Sequence, residues 1–422
     1  MAGEWERTSL REAGVTLIDC DHRTPPAADR GYPYVAIPQL REGRLALDDV
    51  RRISQEHFVE WTRKAKPQHY DVILSRRCNP GETAYVPAAL ECALGQNLVL
   101  LRADGKKLFP PFLRWLVRGK DWWEQVGTFI NVGAVFDSLK CADIPNFSMP
   151  LPPLPEQKAI AAVLGALDDK IELNRRMNAT LEAMARALFQ SWFVDFDPVR
   201  AKLDGRKPTG IDPDIAGLFP EHLAESPLGQ IPHGWEISRL DEIALVVMGL
   251  SPDGESYNAE GVGIPLINGP VEFGDYFPVK TKWTEAATRF ASDGDLIFCV
   301  RGSTTGRRVV SDGEYGIGRG VCAIRAKGGC HSFLYQTINH GLNRLLEKTT
   351  GSVFPSLSAP DIKGFSVLKP SMAILEAYER ATNPLIQRIQ QNHHQSRTLA
   401  TLRDTLLPKL LSGEVRIEGE SQ

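Results

Sequence analysis

The sequence predicts an α+β protein with two β-rich domains in tandem, each followed by a long helix; the two helices form an antiparallel coiled coil with pseudo-twofold symmetry. Three observations support this fold class. An internal repeat divides the chain in two, alternating apolar stretches typical of short strands occur in each half, and each half ends in apolar residues spaced by three and four.

The internal repeat is clearest towards the end of each half. The pattern Phe-x-Ser-Leu-x3-Asp-Ile-x2-Phe-Ser-x3-Pro begins at Phe136 and recurs with the same spacing at Phe354. Upstream, Asp71-Val-Ile-Leu corresponds to Asp295-Leu-Ile-Phe. We therefore predict a tandem duplication, in which stretches such as Asp295–Val300 and Gly320–Arg325 form short strands.

Each half ends in a predicted helix that follows a proline, Pro155 or Pro370. Proline suits the start of a helix because its missing N–H falls among the donors that stay unpaired in the first turn. The apolar spacing is typical of a coiled-coil seam, and polar seam residues commonly fix register and partner. Asn178 and Ser396 fall on this seam. Its other predicted members are Leu164, Leu167, Ile171, Asn174, Leu181 and Leu188 in the first helix and Leu385, Ile389, Asn392, Leu399 and Leu406 in the second.

Length and composition indicate a globular, multidomain chain. Its 422 residues suggest two or three domains, at roughly 100 to 200 residues each. No run of about 18 apolar residues occurs, and the opening MAGEWERTSL lacks the features of a signal peptide, so we expect a cytoplasmic protein. The net charge of -3 argues against non-specific coating of nucleic acid, although a specific reader needs only a local basic face.

The seven cysteines are scattered and never spaced as Cys-x-x-Cys, which favours reduced thiols. Cys20 with His22, and Cys330 with His331, are the only adjacent pairs that suggest a metal site. Neither has a second pair at ligand spacing. We therefore predict no metal site.

Four segments resemble the signatures of the specificity subunits of type I restriction-modification systems, and the resemblance spans nearly the whole chain. The first opens the first helix, the second closes it, the third opens the second half and the fourth lies near the end. They are Leu151–Gln157, Trp192–Pro198, Leu228–Trp235 and Leu407–Gly413. The chain departs from this pattern at Met372–Leu375, where the second helix lacks the Pro-Glu-Gln of the first.

The resemblance implies a non-catalytic subunit that reads double-stranded DNA. Two target-recognition domains each read half of a split site, and the antiparallel helices between them act as a spacer. The implied partners are two methyltransferase subunits and the restriction/translocase subunits. S-adenosylmethionine and ATP with Mg²⁺ are then expected on those partners only, so no cofactor is expected on this chain. The predicted first helix, from about Pro155 to Trp192, would be roughly 55 Å long at 1.5 Å per residue. This exceeds one DNA turn of roughly 34 Å, so two half-sites about one turn apart could be read from one side.

The repeat and the resemblance together define six predicted segments. They are target-recognition domain 1 (1–150), helix 1 (151–197), a connector rich in Pro and Gly (198–232), target-recognition domain 2 (233–370), helix 2 (371–413) and a tail (414–422).

Basic clusters supply the candidate DNA contacts. The strongest is Arg301–Arg308, where glycines let a backbone approach phosphate and guanidinium groups suit phosphate or guanine. The alternative for this segment is a solvated hairpin turn, and for Arg63–Lys66 a solvated charge run. The candidates are Lys64, Lys66, Arg76, Arg77, Arg301, Ser303, Thr304, Arg307, Arg308 and Arg319.

The sequence lacks the motifs of an enzyme. It contains no Asp-Pro-Pro-Tyr or Asn-Pro-Pro-Tyr segment, no GxxxxGK[ST] loop and no recognisable nuclease cluster. The alternatives are a coiled-coil adaptor without DNA contact and a specificity module of another DNA methyltransferase complex. Phe189, Trp192 and Phe193 are predicted to form an apolar docking surface for a partner, unless they join the helix to a recognition domain.

Overall fold

The computed structural model describes residues 5–133, 135–227, 229–349 and 355–417. Phe354 of the repeat and Leu228 of the third signature segment lie outside the described residues. The chain forms two compact units, one of residues 1–173 with 395–422 and one of residues 174–394. Each long helix contributes one part to each unit.

The first unit combines short strands with three helices and part of each long helix, among its described residues. Its strands are β1 (Arg7–Ser9), β2 (Val15–Asp19), β3 (Tyr32–Val35), β4 (Leu40–Arg41), β5 (Arg44–Leu45), β6 (Arg52–Ile53), β7 (Val72–Ser75), β8 (Thr83–Tyr85), β9 (Ala93–Leu94), β10 (Leu98–Ala103) and β11 (Ser148–Pro150). Its helices are α1 (Gln55–Trp61), α2 (Pro110–Leu116) and α3 (Lys120–Phe129), with 3-10 turns at Ile37–Gln39 and Ile144–Asn146.

A four-stranded antiparallel sheet, in the order β2-β10-β7-β8, is the centre of the first unit. The run Leu98–Leu101 of β10 is apolar throughout because both faces of this strand are covered. On one face Val99 packs with Trp115, Trp122 and the long helices, and on the other Leu100 packs in a second cluster. The strands β1 and β11 pair beside the start of the first long helix.

The second unit contains the connector, a second β-rich domain and the remaining parts of the long helices. Its described strands are β12 (Leu223–Ser226), β13 (Gly229–Pro232), β14 (Glu236–Arg239), β15 (Ala244–Met248), β16 (Tyr257–Asn258), β17 (Ile264–Ile267), β18 (Trp283–Thr284), β19 (Phe290–Ala291), β20 (Leu296–Cys299), β21 (Arg308–Val310), β22 (Tyr315–Ile317), β23 (Val321–Ala326) and β24 (Ser366–Lys369).

The helices and turns of the second unit are mostly short. The exceptions are the long helices α4 and α10, with 40 residues each, and α8, with 16. The 3-10 turns lie at Gly254–Ser256, Pro270–Glu272 and Lys327–Gly329. The helices, with the two long ones, are α4 (Leu154–Phe193), α5 (Asp197–Leu203), α6 (Pro213–Leu218), α7 (Leu240–Ile243), α8 (His331–Leu346), α9 (Ala359–Lys363) and α10 (Met372–Leu411).

The second unit repeats the central sheet of the first. Its strands β15, β23, β20 and β21 form a four-stranded antiparallel sheet in that order, which corresponds to β2-β10-β7-β8. The predicted strands at Asp295–Val300 and Gly320–Arg325 are confirmed as β20 and β23. A further five-stranded sheet, β16-β18-β17-β22-β19, has one parallel pair, β17 with β22.

A buried aspartate occupies the same place in both sheets, directly before β7 in the first and β20 in the second. Asp71 accepts two hydrogen bonds from the Arg102 guanidinium, at 2.8 and 2.6 Å. Asp295 accepts two from Arg325, both at 2.8 Å. Hydrogen bonding to the aspartate raises the pKa of each arginine, which keeps the charge on both guanidinium groups. The repeated Asp-x-Ile motif therefore marks a bidentate ion pair that fixes the sheet.

The long helices run antiparallel in the second unit. The Asn392 side chain donates to Asn178 Oδ1 at 2.8 Å, and the Asn174 side chain donates to the Asn392 carbonyl at 3.4 Å. Further along α4, the Tyr378 hydroxyl donates to the Ala185 carbonyl at 3.2 Å. Later residues of α4 thus contact earlier residues of α10, as in an antiparallel pair. None of the predicted seam residues is exposed.

In the first unit the helix pair encloses a buried ionic cluster. The Asp168 carboxylate lies 2.6 Å from Arg403 Nη1 and 3.3 Å from Arg114 Nη2. All three side chains are almost fully withdrawn from water. The Arg114 guanidinium also lies over the Tyr85 and Trp115 rings. This cluster ties α10 to α4 and to the β-rich part of the first unit through α2.

The connector predicted at 198–232 is folded. It contains most of α5, the helix α6 and the β12–β13 hairpin. Val199, Phe219 and Ile231 are buried in the same cluster as Trp235 of the second half. The Pro- and Gly-rich composition therefore reflects short elements and turns. Among the described residues, none of the helices combines the length and apolar character needed to cross a membrane.

Asp168→Asn should lower the free energy of unfolding by about 3–5 kcal/mol, because removing the carboxylate charge leaves Arg114 buried without its counter-ion and Arg403 with only the exposed Asp404 as its partner. Urea unfolding followed by circular dichroism measures the change. The control is Asp169→Asn, at the exposed neighbouring position. Equal stability of the two variants would contradict this account of the cluster.

Candidate nucleic-acid interface

One end of the central sheet of the second unit collects several predicted contact residues. The strand β20 ends at Cys299, which pairs with Val321 at the start of β23. The turn after β20 and the turn before β23 therefore lie at the same end of the sheet. At the end of β15, Ser251 joins them, because its hydroxyl accepts from the Arg319 backbone N–H at 3.1 Å.

The turn after β20 has a backbone that only glycine adopts readily at two points. Gly302 has a φ of 88° and Gly306 a φ of 96°. The Gly302 N–H donates to the Pro355 carbonyl at 3.0 Å. The Thr305 hydroxyl lies 2.7 Å from the Gly302 carbonyl and 3.0 Å from the Pro355 carbonyl. Arg301 forms a β-bridge with Ser356 of the repeat motif. The turn is therefore shaped by contacts with a distant segment and is more than a free hairpin.

The structure separates the candidates of this turn into exposed and inward groups. Arg301, Ser303 and Arg307 are exposed, as is Arg319 on the neighbouring turn. Arg308 instead turns inward, where its side chain donates to Asn339 and to the Gly306 carbonyl.

Burial lowers the pKa of Arg308. Two of the Arg308 nitrogens, Nε and Nη1, therefore already have partners within the unit. Contact of Arg308 with DNA stays a prediction. Thr304 is half-buried, with its hydroxyl 3.6 Å from Cys299 Sγ.

The first unit has the corresponding sheet end. The strand β7 ends at Ser75, opposite Leu98 at the start of β10, and the Arg77 side chain that follows is exposed. Arg76 is half-buried, with Nη1 3.4 Å from the Leu139 carbonyl and Nη2 3.5 Å from His22 Nε2. Arg77 forms a β-bridge with Ser138, the repeat equivalent of the bridge in the second unit.

The two predicted lysines differ in their surroundings. Lys64 is exposed, and its charge is one of the smaller causes that lower the pKa of Asp21, after the Arg23 guanidinium. Lys66 lies near the start of β7, where its carbonyl accepts a hydrogen bond from the Arg102 guanidinium at 2.9 Å. Its ammonium group is 3.8 Å from the Glu91 carboxylate. Lys66 therefore lies away from the sheet end that carries Arg77, and its contact with DNA stays a prediction.

Three possible metal-ligand atoms meet near the end of β2. The side chains of Asp19, Cys20 and His22 place these atoms within 4.8 Å of one another. Burial raises the pKa of the Cys20 thiol to about 11, and the thiol donates to the Gly95 carbonyl at 3.2 Å. His22 Nε2 lies 3.2 Å from Asp19 Oδ2. Contacts within the protein thus account for these polar atoms, and the guanidinium of Arg76 alongside disfavours a cation.

The apolar residues at the end of α4 do not form an exposed docking surface, which corrects that prediction. Phe189, Trp192 and Phe193 are all buried. The ring centroid of Phe193 lies 4.9 Å from that of Phe333 and 5.0 Å from that of Tyr378. These side chains therefore join the helix to the β-rich domain of the second unit, as the alternative interpretation held.

Sequence reasoning missed the serine of the repeat motif as a site residue. Ser138 and Ser356 bridge the arginine-bearing turns in the two units. The adjacent Trp122 and Trp123 differ as well: Trp122 is buried and donates to the Gly81 carbonyl at 2.9 Å, whereas Trp123 is exposed. The signal for the serines was present, because both stand at fixed places in the repeat.

Comparison with known proteins gives a consistent family. Residues 21–183 match the family described as the type I restriction modification DNA specificity domain. The chain is 24% identical to the putative type I restriction enzyme MjaX specificity subunit of Methanocaldococcus jannaschii, over 92% of this chain and 88% of that protein. It is 26% identical to the type I restriction enzyme MjaIX specificity subunit of the same organism, over 87% and 82% of the two chains.

A solved structure agrees in fold. The S subunit of a type I restriction-modification system from M. genitalium superposes with a TM-score of 0.56 over 96% of each chain, at 16% sequence identity. This likeness supports the α+β arrangement of β-rich domains with long helices.

Phe193→Ala should lower the free energy of unfolding by about 3–5 kcal/mol, because it empties a buried aromatic position between α4, α8 and α10. Thermal or urea unfolding measures the loss. Met184→Ala, at an exposed position of the same helix, is the control and should change little. Unchanged stability together with lost association of a methyltransferase subunit would restore the docking role.

Proposed function

We propose that this chain, which is a relative of the specificity subunits of type I restriction enzymes along most of its length, reads a bipartite DNA sequence. Each unit would read one half-site through the end of its central four-stranded sheet. The observation that carries this proposal is the recurrence, in both units, of an exposed arginine bridged to the serine of the repeat motif at that sheet end.

Local charge supports this interface better than the charge of the whole chain. With a net charge of -3, the protein has no bulk attraction for phosphate. Arg301, Arg307 and Arg319 are exposed on neighbouring turns of the second unit, where they form a small basic face. Guanidinium groups bind phosphate oxygens or the O6 and N7 atoms of guanine through two parallel hydrogen bonds. Ser303 offers a hydroxyl to either group.

Catalysis is assigned to partner subunits. We propose that methyltransferase subunits supply S-adenosylmethionine chemistry and that restriction subunits use ATP and Mg²⁺, while this chain supplies the target. The absence of methyltransferase, nuclease and ATPase motifs from the sequence supports this division. With the aromatic cluster of α4 buried, the outward positions of the long helices remain for docking. These include the exposed Leu173, Met184 and Leu402.

Replacing both Arg301 and Arg307 by Ala in the assembled complex should weaken DNA binding. If both contact phosphate, the slope of log K against log salt concentration should fall by roughly two units. The slope comes from binding titrations at several salt concentrations. Lys106→Ala is the matched control, because this exposed lysine follows β10 at the opposite end of the first sheet.

An unchanged slope and affinity in the double variant, with folding intact, would contradict contact with DNA at this turn. Binding of random and specific DNA with equal affinity by the wild-type complex would favour a structural adaptor.

The purified chain alone should neither methylate nor cut DNA. Incubation with labelled S-adenosylmethionine and plasmid DNA, followed by counting and electrophoresis, measures both activities. Methyl transfer should appear only when the methyltransferase subunit is added. Methyl transfer by a preparation free of partner subunits would overturn the assignment of catalysis.

A further inference from the structure

Three large apolar side chains project from one short loop of the first unit. Val132, Val135 and Phe136 are 84%, 77% and 57% exposed. The loop, called the Phe136 loop below, comprises residues 131–133 and 135–138. Single exposed apolar residues are ordinary on protein surfaces, but a group of them in one loop marks a place where another molecule binds.

The Phe136 loop is fixed beside the arginine-bearing turn of the first unit. Asn131 and Ser138 close it through two backbone hydrogen bonds, at 2.8 and 3.0 Å. Ser138 also forms the bridge to Arg77, and the next residue, Leu139, donates its N–H to the Arg76 carbonyl at 2.9 Å. The apolar side chains are therefore carried on the backbone that adjoins the exposed Arg77.

We infer that the Phe136 loop contacts the bases of the half-site that the first unit reads. This inference rests on the proposed function and names a specificity-determining element within it. The occupant is a DNA duplex because an arginine that suits phosphate and a group of apolar side chains that suit bases stand together. Apolar side chains contact the thymine methyl group in the major groove, or enter between base steps from the minor groove.

A base contact and a phosphate contact have different signatures. Loss of a phosphate contact weakens binding to every sequence and reduces the dependence on salt. Loss of an apolar base contact leaves the salt slope unchanged, because no charge is removed. It lowers the preference for the specific sequence over random DNA.

Phe136→Ser and Val132→Ser should each be tested in the assembled complex with its methyltransferase subunit. We expect affinity for the specific sequence to fall roughly 5- to 150-fold for Phe136→Ser, with the salt slope unchanged. The methylated motif should become degenerate in one half-site and stay intact in the other. Because both side chains are exposed, the melting temperature should not change. Leu245→Ser, an exposed apolar position on β15 of the second unit, is the matched control.

An unchanged motif and an unchanged ratio of specific to random binding in both variants would overturn the inference. Loss of subunit association with the motif intact would also overturn it, because the loop would then contact a protein. Failure of the proposed function looks different, since the wild-type complex itself would then show no sequence preference.

Discussion

A single backbone hydrogen bond, made once in each unit, determines where the candidate interface residues lie. The Leu139 N–H donates to the Arg76 carbonyl at 2.9 Å, and the Leu357 N–H donates to the Val300 carbonyl at 3.0 Å. The donor belongs to the segment that returns to a long helix, and the acceptor belongs to the turn after the central strand. Because buried backbone groups must be paired, this bond holds scaffold and turn together. The serine bridges and the exposed arginines depend on it.

The scaffold and the turns carry different constraints. The bidentate pairs Asp71–Arg102 and Asp295–Arg325 recur because an unpaired charge at a buried position costs stability. Among the residues that the structure describes, no such pair holds the turn that follows. The two turns also differ, with Cys-Asn-Pro after Arg77 and Gly-Ser-Thr-Thr after Arg301. One duplicated framework therefore presents two surfaces of different chemistry, as the proposed reading of two different DNA half-sites requires.

The sequence predicted the features that repeat or have a period. The strand at Asp295–Val300 and the polar seam with Asn392 follow from alternation, spacing and the duplication. The direction in which single side chains point was not predictable. Arg307 and Arg308 are neighbours in sequence, but successive residues entering a strand face opposite sides, so one is exposed and the other reaches Asn339. Similarly, an aromatic residue such as Phe193 adds to the same apolar sequence pattern whether its side chain packs against its own domain or against a partner protein.

Mapping methylated adenines genome-wide, in cells that express this chain with its methyltransferase subunit, tests the central claim most directly. The account predicts one motif made of two short defined sequences separated by a spacer of fixed length and undefined bases, because two units each read one half-site. A single continuous motif, or methylation without sequence preference, would contradict it.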